Sequence, residues 1–172
     1  MDEGTEAMPD EPSDLDGEKA ALVPAPQPAP FQQDKFLAAL VEEANVYNIA
    51  PSLTLCVGGL LITGDLTSTA VYLRAYGEEM DRALSNQLER EPTGEFAAPY
   101  REMADAAEKA WANKRDNPAA AEPAPTYICL ENAHYFNPNG GFIPSHEGMY
   151  WRGKISAVDG FSLGRLSEEG PG

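Results

Sequence analysis

Apolar positions recur along this chain at two periods, and the places where the period changes mark out the elements. From about Gln33 to Asn48, Leu37, Leu40, Val41, Ala44 and Tyr47 fall at helical spacing, one face of a 3.6-residue turn. Pro51 bars any continuation. The period then drops to two: Leu53, Leu55 and Val57 alternate with Thr54 and Cys56, and a second apolar run from Leu60 to Leu66 follows Gly58-Gly59. Two such runs about a glycine pair predict a β-hairpin, because a type I′ turn needs positive φ at both central residues. Gly64, inside the second strand, predicts a bulge or the close approach of another backbone.

Helical spacing returns after Thr67-Ser68-Thr69, each a possible N-cap. Leu73, Tyr76, Met80, Ala83, Leu84 and Leu88 would form the inner face of a helix reaching about Glu89, with Gly77 weakening it slightly. Pro92-Thr93-Gly94 breaks it. A third helix is predicted from Ala98 to Lys114, with Pro99 tolerated in its first turn and Tyr100, Met103, Ala107, Ala110 and Trp111 as its buried stripe. Asp116 to Pro125 reads as a linker. Strand character resumes over Thr126–Phe136, and Asn137-Pro138-Asn139-Gly140-Gly141 makes a tight loop. The run from Met149 to Leu166 then reads as a closing hairpin turning at Asp159-Gly160.

The predicted order is helix, two strands, two helices, three strands. It implies an α+β domain: a small curved antiparallel sheet or partly open barrel of about five strands, with three helices against it. Residues 31–166 would be this single domain, with a helical insertion at 68–115 and the linker at 116–125. Residues 1–30 read as a disordered tail: acidic first, then the proline-alternating run Val23–Pro30, which favours an extended polyproline II spacer. Residues 167–172 read as a frayed end. There are no internal repeats.

Charge narrows the function. Twenty-eight acids against 12 bases leave a net charge of −16 over 172 residues. Eight of those acids lie before Pro30, opposed only by Lys19. Such a surface repels phosphate backbones and anionic lipid heads, so neither nucleic acid nor a membrane is expected as partner. The fold type leaves one alternative open, a small-barrel nucleic-acid-binding module, which the charge disfavours. No apolar run approaches the ~20 residues of a membrane span, and the acidic N-terminus lacks the features of an address signal. A cytoplasmic chain is the expectation. Cys56 and Cys129, both in apolar strand runs, then read as buried free thiols.

Candidate chemistry is sparse. His134 and His146 are the only histidines, and neither stands in a metal-ligand spacing with the cysteines or with Glu131 or Glu147. His134 alternates with apolar neighbours, as a sheet residue with a local partner would. No nucleophile elbow, phosphate-cradling loop or dinucleotide fingerprint occurs. No catalytic residue, cofactor or metal is expected, and the chain reads as non-enzymatic. The strand beginning Tyr150-Trp151-Arg152-Gly153-Lys154 is the one place where aromatic and basic groups coincide. Trp, Tyr and Arg are favoured interface anchors, so Tyr150, Trp151, Arg152 and Lys154 are the candidate partner contact. A half-buried strand would instead turn Trp151, Gly153 and Ile155 inward and Tyr150, Arg152 and Lys154 outward.

Three blocks together resemble a known family. They are Leu53–Leu66 (Leu-Thr-Leu-Cys-Val-Gly-Gly-Leu-Leu-Ile-Thr-Gly-Asp-Leu), Tyr127–Ala133, and Pro144–Ile155 with its continuation Val158–Gly164. The sequence is similar there to gas vesicle accessory proteins of the U type. The likeness does not extend to the acidic, proline-rich head or to the linker. It implies a cytoplasmic, non-enzymatic protein acting in gas vesicle assembly or clustering, at or near the vesicle surface. The implied partners are the vesicle shell or other gas vesicle proteins, and further copies of itself. No residue-level role is implied.

Overall fold

The computed structural model describes residues 1, 33–119, 124–137 and 141–166. The expected disordered head beyond Met1, the frayed end and residues 120–123 of the linker lie outside the described residues. Those from Gln33 onward belong to one compact unit, Phe31–Gly172.

Helix α1 (Lys35–Tyr47) starts where Asp34 Oδ1 accepts hydrogen bonds from the amides of Phe36 (2.8 Å) and Leu37 (3.0 Å), satisfying two of the donors a helix start leaves open. It buries Leu37, Val41 and Ala44, while Tyr47 stands exposed. Strands β1 (Ser52–Val57) and β2 (Leu60–Thr67) pair as a hairpin about Gly58 and Gly59, both at positive φ. Helices α2 (Thr69–Gln87) and α3 (Ala98–Asp116) follow. Strands β3 (Tyr127–Phe136), β4 (Phe142–Ile143), β5 (Met149–Lys154) and β6 (Gly160–Leu163) complete an antiparallel sheet in the order β4-β3-β2-β1-β6. β5 pairs with β3 beside β4. The fold is α+β, with six strands where the pattern implied about five. The additional one is the two-residue β4.

The closing hairpin does not form. β5 pairs with β3 at one edge of the sheet and β6 with β1 at the other. Neither Asp159 nor Gly160 takes positive φ, so there is no type I′ turn. Instead Ile155–Ala157 makes a 3₁₀ turn, and the Asp159 carboxylate accepts from the Gly58 amide at 2.7 Å. Laid flat, β5 and β6 would be four strand spacings of ~4.8 Å apart, about 19 Å, whereas the connection, with three of its residues in a 3₁₀ turn rising only ~2 Å each, reaches roughly 16 Å. The sheet must therefore curl, with this crossing as a chord beneath it.

Ile155, fully buried on that chord, joins Leu53, Leu55, Ile62, Leu66, Ile128, Leu130 and the α1 residues in the core. Gly64 stands opposite a bulge in β3, where Asn132 takes φ 49° and the β2–β3 register shifts. A Cβ on Gly64 would lie 3.1 Å from Ala133 Cα. Gly148 passes tighter still: a Cβ there would be 2.4 Å from the Asn132 carbonyl carbon.

Beside the bulge, Arg165 Nε reaches Asp65 Oδ1 at 3.0 Å and a terminal nitrogen reaches Oδ2 at 2.6 Å. Ser52 Oγ donates to the same carboxylate at 2.7 Å. Burial opposes ionisation of Asp65, but the hydrogen bonds from Ser52, Arg165 and Asn132 outweigh it and hold its pKa below the ordinary value.

Candidate functional site

Helices α2 and α3 pack against each other through small residues. α2 buries Ala70, Gly77, Asp81 and Ser85, a seam displaced from the Leu73/Tyr76/Met80/Leu84 face expected for it. Those four are half-buried, Ala83 and Leu88 are exposed, and α3 buries only Ala104. The reason is contact distance. A Cβ at Gly77 would come within 2.8 Å of Tyr100 Cβ and 3.3 Å of the Ala97 carbonyl, so the helices meet at the glycine. Their larger residues flank the contact. Asp81 fastens the connection, accepting from the amides of Gly94 (2.9 Å) and Phe96 (3.1 Å). Met103, expected inside, is 56% exposed.

The flanking residues line a groove. On α2, Thr69, Tyr72, Leu73 and Tyr76 occupy one face at spacings of three, one and three. On α3, Tyr100, Met103 and Ala107 face them. The groove holds about 560 Å³ and is bordered by Arg152 of β5. Its tyrosines form a ladder. Tyr150 meets Tyr72 edge-on at 6.3 Å between centroids, Tyr72 stacks on Tyr76 at 5.9 Å, and Tyr76 meets Tyr100 edge-on at 5.2 Å, all within favourable aromatic range. Burial raises the pKa of the Tyr72 phenol, with Arg152 opposing. It raises that of Tyr150 too, helped by Glu131, Glu79 and Glu78. Both phenols therefore stay protonated at neutral pH and can donate hydrogen bonds.

β5 supplies the border by strand alternation. Tyr150 is half-buried against Tyr72, and Arg152 is exposed with its guanidinium 3.6 Å from the Tyr127 ring centroid, a cation–π contact. Trp151 points to the other face and packs against the core. Its indole lies over Gly153, where a Cβ would be 2.3 Å from the ring. Lys154 is exposed opposite Tyr127 at the end of the strand. Of the four residues singled out in the sequence, the fold brings Tyr150 and Arg152 to the groove, sends Trp151 into the core and leaves Lys154 at the strand end. Tyr72 escaped notice in the sequence. Its signal is Tyr72-x-x-x-Tyr76: tyrosine recurring one helical turn apart suits a face with one apolar and one wet side.

The remaining candidates resolve locally. His134 Nδ1 lies 2.9 Å from the Pro144 carbonyl oxygen, with its ring edge-on to Phe142, the local partner expected of it. His146 is exposed. Among the described residues, no group of three or more His, Cys, Asp or Glu is placed to hold a metal. Cys129 is a buried free thiol whose pKa burial pushes up to about 11, against the nearby Arg152. Cys56 is free but only half-buried, because it lies on the outer face of β1. A second hollow of about 410 Å³ adjoins the C-terminus of α1 and contains Trp111, Arg74 and Arg115. Its cations are taken up by neighbours: Arg74 by Asp105 and Glu108, Arg115 by Asp116. No helix among the described residues is long and apolar enough to cross a membrane.

Comparison with known proteins adds one match. A family model described as gas vesicle protein GvpU-like covers residues 34–166. No curated protein and no solved structure matches the chain.

Proposed function

Because the chain belongs to the GvpU-like gas vesicle protein family, we propose that it is a non-enzymatic accessory protein that promotes vesicle assembly or clustering in the cytoplasm. It acts by contact with the shell or with other gas vesicle proteins, and by self-association. The observation that carries this reading is the family match across the whole folded unit, 34–166. The tyrosine groove bordered by Arg152 supports it, since its composition is that of a protein-recognition surface. The acidic head modulates association through charge, over a screening length of ~8–10 Å at physiological salt.

Flotation tests the reading. Purified full chain mixed with isolated vesicles should rise with the gas-filled layer and increase cluster size in light scattering and electron micrographs. Deleting residues 1–30 or raising the salt should change the turbidity. Protein left wholly in the subphase, with cluster size unchanged, would refute the proposal.

A further inference from the structure

The groove between α2 and α3 has the chemistry of a site for extended, proline-rich peptide, and we infer that it takes the segment Val23–Pro30 of a second copy of this chain. The inference rests on the self-association reading above and specifies its contact.

The lining is the first reason. Tyr72, Tyr76 and Tyr100 line it with aromatic surface, together with the apolar side chains of Leu73 and Met103. A polyproline II strand has no internal hydrogen bonds, so its carbonyls are open to donors, and its proline rings pack between aromatic side chains. The tyrosine hydroxyls and the Arg152 guanidinium are donors of the required kind. Length is the second reason. The ladder from Tyr150 to Tyr100, with successive centroids 6.3, 5.9 and 5.2 Å apart, follows a path that matches at most about five or six residues of polyproline II at ~3.1 Å each. The sequence Val-Pro-Ala-Pro-Gln-Pro-Ala-Pro at 23–30 supplies such a run. Its alternating prolines fix φ in advance and reduce the entropy lost on docking.

Charge is the third. A chain of net −16 repels most segments of its own kind, and Glu79 lies close enough to the groove to act on the phenols of both Tyr72 and Tyr150. Residues 20–33 carry no charged side chain, so this stretch approaches without that repulsion. One segment and one groove per molecule make the contact heterologous. Such contacts propagate as open chains unless the geometry closes a ring, which is the kind of growth that clusters particles.

The test uses the full chain. A labelled peptide of residues 20–32 is titrated with it and followed by fluorescence anisotropy, beside a control peptide with Pro24→Ser, Pro26→Ser, Pro28→Ser and Pro30→Ser. The first should bind saturably and the control should not. Met103→Glu, at an exposed position on the groove wall, should weaken peptide binding by about tenfold or more. In sedimentation velocity, Met103→Glu alone and the four-proline variant alone should each lose concentration-dependent association. Mixing the two should restore it, because one contributes a segment and the other a groove.

Absent peptide binding, or binding indifferent to Met103→Glu, overturns the inference, and any self-association that persists then belongs to another surface. Peptide binding without restoration on mixing overturns the assignment to a second copy. A full chain that is monomeric at every concentration and leaves vesicles unclustered refutes the broader reading, whatever the peptide does.

Discussion

Two glycine-to-alanine substitutions separate the observed topology from the hairpin that the C-terminal sequence invites. Gly59, in the β1–β2 turn, has φ +81°, and a Cβ there meets nothing within 4 Å. Gly59→Ala therefore suffers from conformation alone, about 1–2 kcal/mol for placing an L-residue in the left-handed region. Gly160 also has open space around its Cβ position, but it begins a strand at ordinary φ. Gly160→Ala should be neutral or stabilising by about 0.4–1 kcal/mol, because alanine narrows the unfolded ensemble without straining the fold. The variants should thus differ by about 2 kcal/mol. For a chain of this length that corresponds to about 4–8 °C in Tm, at ~2–4 °C per kcal/mol. Thermal unfolding by circular dichroism measures Tm, and urea titration gives ΔG independently. If β5 and β6 were a type I′ hairpin, Gly160 would need positive φ and both variants would be destabilised alike. Equal losses at the two positions would refute the edge-to-edge crossing.

Other consequences follow from contacts already described. Gly148→Ala drives a Cβ into the Asn132 backbone at the β3 bulge and should cost about 1–3 kcal/mol, read as a lower urea midpoint, because backbone cannot move aside as a flexible side chain can. The Asp65–Arg165 pair should matter in a pH-dependent way. The folded pKa of Asp65 lies below its unfolded value, so the stabilisation is present above that unfolded value and disappears as pH falls through the folded one. Arg165→Ala should then cost about 1 kcal/mol at neutral pH, and the gap between wild-type and variant urea midpoints should close from about pH 5 downward. Thiol labelling at about pH 8 should modify Cys56 in the native state and leave Cys129 until denaturant is added, since a pKa of about 11 leaves only about one Cys129 in a thousand ionised. Rapid native labelling of both would contradict the burial of Cys129.

Local chemistry made much of this protein legible. Gly58-Gly59 could be read as a turn because its requirement, positive φ at two successive residues, is met within the turn itself. Gly64 announced a close backbone approach by its missing side chain, though not that β3 would be the strand that approaches, and Ser68, one of three offered caps, closes its helix through its own hydroxyl. The helices existed where apolar spacing placed them. Which face each one buried was less legible. α2 turned its small residues inward because Gly77 allowed Tyr100 to approach, and no single-helix pattern says that a neighbour will choose glycine over leucine.

What the amino-acid sequence determined by itself was therefore the three helices and five of the six strands, the Gly58-Gly59 turn, the family, and an aromatic–basic strand worth watching. Those depend on residues within a few positions of one another. Only the tertiary structure decided that β5 and β6 part company to opposite edges, that Trp151 serves the core, and that Tyr72, Tyr76 and Tyr100 assemble beside Arg152. Each of these outcomes was set by pairings between segments distant in the chain. An Asp-Gly pair flanked by two strands is compatible with a hairpin or a crossing. The choice falls to Ile155, whose burial beneath the curled sheet carries the chain from one edge to the other.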